Sequence, residues 1–213
     1  MQAQAGARRA GTAHSYGALA AMLAAVLVTA GCQGMAMTER TTAARNPSRP
    51  DNTVADWPLK FVQHNFGAAC YSTYGCKVLY NGFLHVSDPE NELRRSSESL
   101  GEKYPGVLTA GYLGIVGFPP PARVSWRSRD GESHEAMVDI SEIFKDRLIL
   151  HNVPREEIRE GVSIFNPGII LEVNDRTINV YMRAFIPTKE LQEPGNRHSG
   201  HRYEPVLAWS RTY

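Results

Sequence analysis

The chain has 213 residues, 23 Lys plus Arg against 22 Asp plus Glu, and a formal charge of +1. So even a balance, with no basic cluster, excludes the electrostatic footprint of a nucleic-acid binder and a polybasic lipid-binding patch. Length and a hydrophobic share of 42% fit one globular domain with shorter attached segments.

At the N-terminus, Arg8 and Arg9 are the only charges before Cys32, and Ala18 to Ala30 is almost all Ala, Leu, Val and Met. Charge, then an apolar run, then small residues is the layout of a secretory signal. The run is short for a membrane span of about 20 residues. Ala30 and Gly31 directly before Cys32 resemble the lipobox of bacterial lipoproteins, with Thr29 where that motif usually has Leu. The resemblance implies removal of residues 1–31 and a lipid-bearing Cys32. Gln33, not Asp, follows the cysteine, so we expect a periplasmic domain anchored by lipid to the outer membrane. The other reading is an ordinary secretory signal with an incidental cysteine. Cleavage would leave the chain with one net negative charge, since only Arg8 and Arg9 are lost from the charged set.

Residues 32–55 read as a lipidated end and a flexible tether, rich in Thr, Ala, Arg, Asn, Ser and Pro, with too little apolar content to offset its ordering entropy. Such a coil spans roughly 25 Å. Residues 56–213 are expected to form a single β-rich domain. Cys70 and Cys76 remain for pairing in an oxidising compartment, closing the short segment Tyr71 to Gly75. Two buried free thiols are the alternative. Two cysteines without a second pair fall short of a zinc ligand set, and no metal is expected.

Asn81-Gly82 between two apolar runs predicts a hairpin over Lys77 to Val86, because both turn residues tolerate positive φ. Asp88-Pro89-Glu90 reads as a helix start with Gly101 as its stop, giving either a short surface helix or an irregular loop. Pro119-Pro120-Pro121 is excluded from helix interior and central strand, and reads as a stiff crossing between two sheet regions. A second hairpin is predicted over Ala122 to Ile140, turning at Asp130-Gly131. Ser141 to Phe144 and Arg155 to Arg159 could each supply a helical turn. A third hairpin is predicted over Ile169 to Ile186, turning near Asn174-Asp175, and a last strand over Pro205 to Trp209. Hairpins at this spacing predict a mainly β fold, an antiparallel β-sandwich-like domain with a few short helices; α+β is the alternative.

Chemistry is sparse. Gly-x-Ser-x-Gly, a phosphate-cradling glycine loop and His-Glu-x-x-His are all missing from the sequence. No catalytic residue, enzyme activity or cofactor is expected. His198 and His201 are the one close histidine pair, and glycine between them suggests a polar loop. His64 is expected to be a hydrogen-bonded structural residue. Trp126 and Trp209 are expected in the core. Two long polar segments, Ser87 to Tyr104 and Thr188 to Glu204, read either as protein-recognition surface or as solvent loops. In the second, Arg197, His198, Arg202 and Tyr203 are candidate partner-binding residues, because Arg and Tyr are enriched at binding hot spots.

Three stretches carry a family resemblance: His64 to Cys70, Tyr74 to Val78 with Asn81-Gly82, and Pro121 to Ser128 with Asp130-Gly131. Together they resemble small bacterial lipoproteins that accompany type VI secretion effectors, over about residues 57 to 150. The third, with the pattern Pro-x-x-Val-x-Trp, is common in that group. The resemblance implies an immunity protein, whose partner is a delivered effector toxin, often a phospholipase. A structural or assembly lipoprotein of the envelope is the alternative. A lipid- or glycan-binding module would need a concave apolar pocket.

Overall fold

The computed structural model describes residues 53–213. The signal at 1–31, the lipidation site Cys32 and the tether up to residue 52 lie outside the described residues. Among the described residues, Val54 already joins the core, although it falls within the expected tether 32–55.

The described residues form eleven strands: β1 (Gln63–Tyr71), β2 (Thr73–Tyr80), β3 (Phe83–Ser87), β4 (Tyr112–Val116), β5 (Ala122–Ser128), β6 (Ser133–Val138), β7 (Gly168–Asn174), β8 (Thr177–Arg183), β9 (Ile186–Pro187), β10 (His201–Arg202) and β11 (Pro205–Thr212). One five-stranded sheet has the order β11-β8-β7-β1-β4, and a four-stranded sheet has the order β3-β2-β5-β6. Their inner faces enclose one core that includes Phe61, Phe66, Val78, Tyr80, Val124, Trp126, Ile169 and Met182. The arrangement is a β-sandwich with short helical turns, as the hairpin spacing predicts.

Local chemistry explains the hairpins. Asn81 and Gly82 have φ of 52° and 72°, the two positive values that a tight β2–β3 turn needs. Gly131 (φ 87°) serves the β5–β6 turn and Asp175 (φ 53°) the β7–β8 turn. In β5, Ala122, Val124, Trp126 and Ser128 are buried while Arg123, Ser125 and Arg127 are not, the period of two that sets one face inward. The proline run lies between β4 and β5, and so carries the chain from one sheet to the other. The helix α1 (Ile140–Ile143) is a single turn capped by Asp139, whose carboxylate accepts the Ser141 and Glu142 N–H groups. β11 continues to Thr212, three residues beyond the expected end.

Two expectations are revised, and a third, left open between a short helix and an irregular loop, is decided. The five-stranded sheet is mixed: β1 and β7 run parallel, from Asn65 beside Gly168 to Tyr71 beside Asn174. The segment between Cys70 and Cys76 is not an irregular loop. The two cysteines sit on two long strands, and Ser72 alone (φ 53°) turns the chain from one sheet into the other. Residues 88–101 form no helix. The only regular turns there are 3-10, over Ser97–Lys103, broken at Gly101 (φ 56°).

That last segment is a strap across the outer face of the five-stranded sheet. Its start runs along the sheet corner, where Arg94 N–H donates to Thr73 O at 2.9 Å and Ser72 N–H donates to Arg95 O at 3.1 Å. Farther on, Leu100, Tyr104, Leu108 and Ala110 pack on Ala69, Tyr71, Ile170 and Tyr181 in a second, smaller core. β7 is therefore buried on both faces from Gly168 to Val173. Only glycine permits the approach. A Cβ on Gly67 would lie 2.0 Å from Thr109 O, and one on Gly168 would lie 2.7 Å from Ala110 Cβ. Within Ser87 to Tyr104, Ser97 is buried and Leu100 and Tyr104 pack on the sheet, while most of the other side chains remain exposed.

Cys70 and Cys76 are disulfide-bonded, with an S–S distance of 2.02 Å, and so pin the two sheets together at the Ser72 corner. Mass spectrometry of alkylated peptides without reductant should find neither thiol modified. Cys70→Ser should lower stability by roughly 2 kcal/mol, the loop-closure value for so short a segment. Recovery of both cysteines alkylated would show that the bond does not form.

Candidate protein-binding surface

Alternation along β8 turns Val180 and Met182 into the main core and Tyr181 and Arg183 onto the opposite face. Arg183 is the last residue of the strand and emerges at the sheet's end. Three residues later β9 begins, and it pairs with β10: Ile186 lies opposite Arg202, and Pro187 opposite His201. This short ladder closes the excursion 188–200 and brings four rings together. Phe185 stacks on His201 with centroids 4.3 Å apart and an interplanar angle of 22°. Tyr203 and Phe165 lie 6.1 and 6.3 Å from Phe185. Phe165 is 70% exposed and Tyr203 44%.

Arg183 braces this cluster. Its guanidinium carbon lies 4.0 Å over the Tyr203 ring, within cation–π range. Its Nε donates to Tyr203 O at 2.7 Å, and its Nη1 donates to Leu108 O on the strap at 2.7 Å. Ring and backbone of Tyr203 are thus held by one side chain, which also ties them to the strap. A rigid, exposed aromatic group on a β scaffold supplies large apolar contact at little entropic expense, the character of an interface hot spot.

The expected contact residues divide. Tyr203 is part of the cluster. Arg202 is ion-paired with Glu204 at 2.5 Å. Arg197 and His198 are exposed on a tight turn, with Arg197 Nε donating to His198 Nε2 at 3.2 Å. Hydrogen bonds within the segment hold the turn. Ser199 is buried; its Oγ donates to Asn196 O at 2.8 Å and accepts from Glu193 N–H at 2.9 Å. His198 and His201 do not converge, since one contacts Arg197 and the other stacks on Phe185. Phe165, Phe185 and Arg183 were not singled out from the sequence, and His201 only as half of a histidine pair. Phe185 and Tyr203 are linked only by the β9–β10 pairing, which has no local signature.

Two buried titratable groups lie elsewhere. His64 is fully buried in the main core; its Nε2 is hydrogen-bonded to the Tyr80 hydroxyl at 3.2 Å, and Nδ1 has no partner. Burial, with a smaller push from the Arg147 charge, lowers its pKa to about 4. Glu172 is fully buried beneath the strap. Its Oε2 accepts from Tyr104 OH at 2.9 Å, Asn179 Nδ2 at 2.9 Å and Tyr181 OH at 3.4 Å, while Oε1 is unpartnered. Desolvation raises its pKa, against the lowering effect of those donors. Trp126 is buried and donates from Nε1 to Asp175 O at 2.7 Å, and Trp209 packs half-buried against the core. Among the described residues one group has metal-ligand proximity, Cys70, Cys76 and Asp88, and its two sulfurs are spent in the disulfide. No described helix is long and apolar enough to cross a membrane.

No protein-family model, curated protein or solved structure matches this chain.

Proposed function

We propose that this protein is a periplasmic immunity protein, lipid-anchored at Cys32. On this reading it binds and inhibits a type VI secretion antibacterial effector, a phospholipase being the expected class. It acts as a stoichiometric inhibitor with no turnover of its own. The observation that carries a binding role is the ring cluster on a braced β scaffold, in which Phe165 and Tyr203 are exposed and Phe185 and His201 half-buried. The effector class rests on the resemblance of the His64 to Cys70 and Pro121 to Ser128 segments. A membrane-active toxin also suits a tethered inhibitor, because the tether raises the inhibitor's effective concentration where the toxin acts. Slow dissociation from a standard-sized interface is enough to neutralise a few delivered molecules.

The test expresses the toxin encoded beside this gene in the periplasm, with and without the protein. Survival should depend on the protein, and the two should co-purify. Phe165→Ala and Tyr203→Ala should each weaken the complex by about 1–2 kcal/mol while circular dichroism stays unchanged. Equal killing in both cases, with no complex at micromolar concentration, would reject immunity in favour of a structural or assembly lipoprotein of the envelope.

A further inference from the structure

The outer face of the four-stranded sheet is covered at one end by Glu90, which contacts Lys77 and Arg127, and is exposed at Leu84, Arg123, Glu135 and Met137. Strand register builds two cross-strand rows on it. In one row Leu84 of β3 pairs with Leu79 of β2, Leu79 with Arg123 of β5, and Arg123 with Met137 of β6. In the next, Ser87, Lys77, Ser125 and Glu135 follow in the same strand order. These side chains point away from the core, because Val78, Val124 and Ala136 between them are buried inside. Met137 is 62% exposed and Leu84 51%. The face bounds an open depression of about 580 Å³, lined by Lys77, Leu79, Leu84, Arg123, Glu135 and Met137 among others.

Its charges decide what fits. Lys77 is already paired with Glu90 at 2.6 Å. Arg123 and Glu135 sit diagonally on neighbouring strands and have no ion-pair partner among the described residues. The face thus carries an aliphatic strip, one uncommitted cation and one uncommitted anion. A patch that holds both signs is its own complement, which is the requirement of a two-fold interface.

We propose that this face is the contact of a symmetric homodimer. A two-fold axis lying across the strands between the two rows sets Arg123 over Ser125 of the partner subunit. Glu135 of the partner subunit is then one strand away, about 4.8 Å to the side, within reach of the guanidinium. The symmetry makes two such pairs, around Leu79, Leu84 and Met137 of each copy. The proposal is independent of effector binding, which uses the ring cluster at the end of the other sheet.

Sedimentation equilibrium of the whole protein in density-matched detergent should give a monomer–dimer equilibrium with a micromolar dissociation constant. Arg123→Glu and Glu135→Arg should each raise that constant by about tenfold or more, since each sets like charges against each other. The double variant should return it towards the wild-type value, because the exchanged pair is again complementary. Met137→Glu should raise it as well. Thermal melts of all variants separate a lost contact from a lost fold. A wild-type monomer at about 100 µM, single reversals without effect, or a double variant no better than the singles would each overturn the proposal.

Discussion

Acidification from pH 6.5 to pH 4 is expected to remove about 3 kcal/mol of stability through His64 alone. The imidazole has an ordinary pKa of 6.5 in the unfolded chain and about 4 in the fold. The folded state therefore holds the neutral ring while the unfolded state takes up a proton. Its contribution is fully present above pH 6.5 and is lost progressively down to pH 4. The cause is positional: the ring is closed in by Phe61, Phe118 and Tyr80, and the Arg147 charge lies nearby. Glu172 acts in the opposite sense. Its raised pKa gives a contribution that is whole below the unfolded value of 4.5 and is lost as pH rises through the folded value. Urea unfolding across this range measures both. His64→Phe should flatten the limb between pH 6.5 and 4, whatever it does to stability at neutral pH, and Glu172→Gln should flatten the limb at higher pH. An unchanged acid slope in His64→Phe would refute the assignment.

Gly67→Ala is expected to destabilise the domain by about 3 kcal/mol, as much as any single methyl group added here. The new Cβ meets a backbone carbonyl, Thr109 O, and backbone cannot rotate out of the way. The strap must lift, uncovering Tyr71, Ile170 and Tyr181 and the Tyr104–Glu172 hydrogen bond. Gly168→Ala should cost less, about 1–2 kcal/mol, because the obstacle is the Ala110 methyl group. Ala110→Gly should rescue Gly168→Ala and leave Gly67→Ala as damaged as before, a non-additivity expected only of residues in contact. Chemical denaturation gives the energies, and hydrogen exchange over residues 100–110 reports the strap. A Gly67→Ala protein within about 0.5 kcal/mol of wild type would mean that the strap does not depend on this approach.

The candidate surface was legible only in part. Tyr203 stands out by residue type in a long polar segment, yet its neighbours do not. Arg183 reads as one polar position among many in an alternating arm, and nothing local says that its guanidinium reaches both Tyr203 and the strap. Glu172 reads as an acid in an apolar run, and its burial follows from Tyr104, far away in the chain. The strap did leave a trace: Leu100, Tyr104 and Leu108 recur every four residues, although Gly101, Pro105 and Gly106 exclude the helix that such spacing suggests. The effector resemblance added a direction for function that neither composition nor spacing contains.

Turn chemistry and alternation are short-range properties, so the residues themselves determined the three hairpins, the β class and the proline crossing. Asn81-Gly82, Asp130-Gly131 and Asp175 dictate where the chain reverses, and the period of two dictates which side faces in. Only the tertiary structure decided which strands become neighbours. Backbone hydrogen bonds are the same for every side chain, so the parallel match of β1 with β7, the change of sheet at Ser72 and the meeting of Phe185 with Tyr203 are selected by burial summed over the whole domain. The two glycines under the strap belong to both accounts: each is visible in the sequence, and its necessity appears only when Thr109 and Ala110 arrive from elsewhere in the chain.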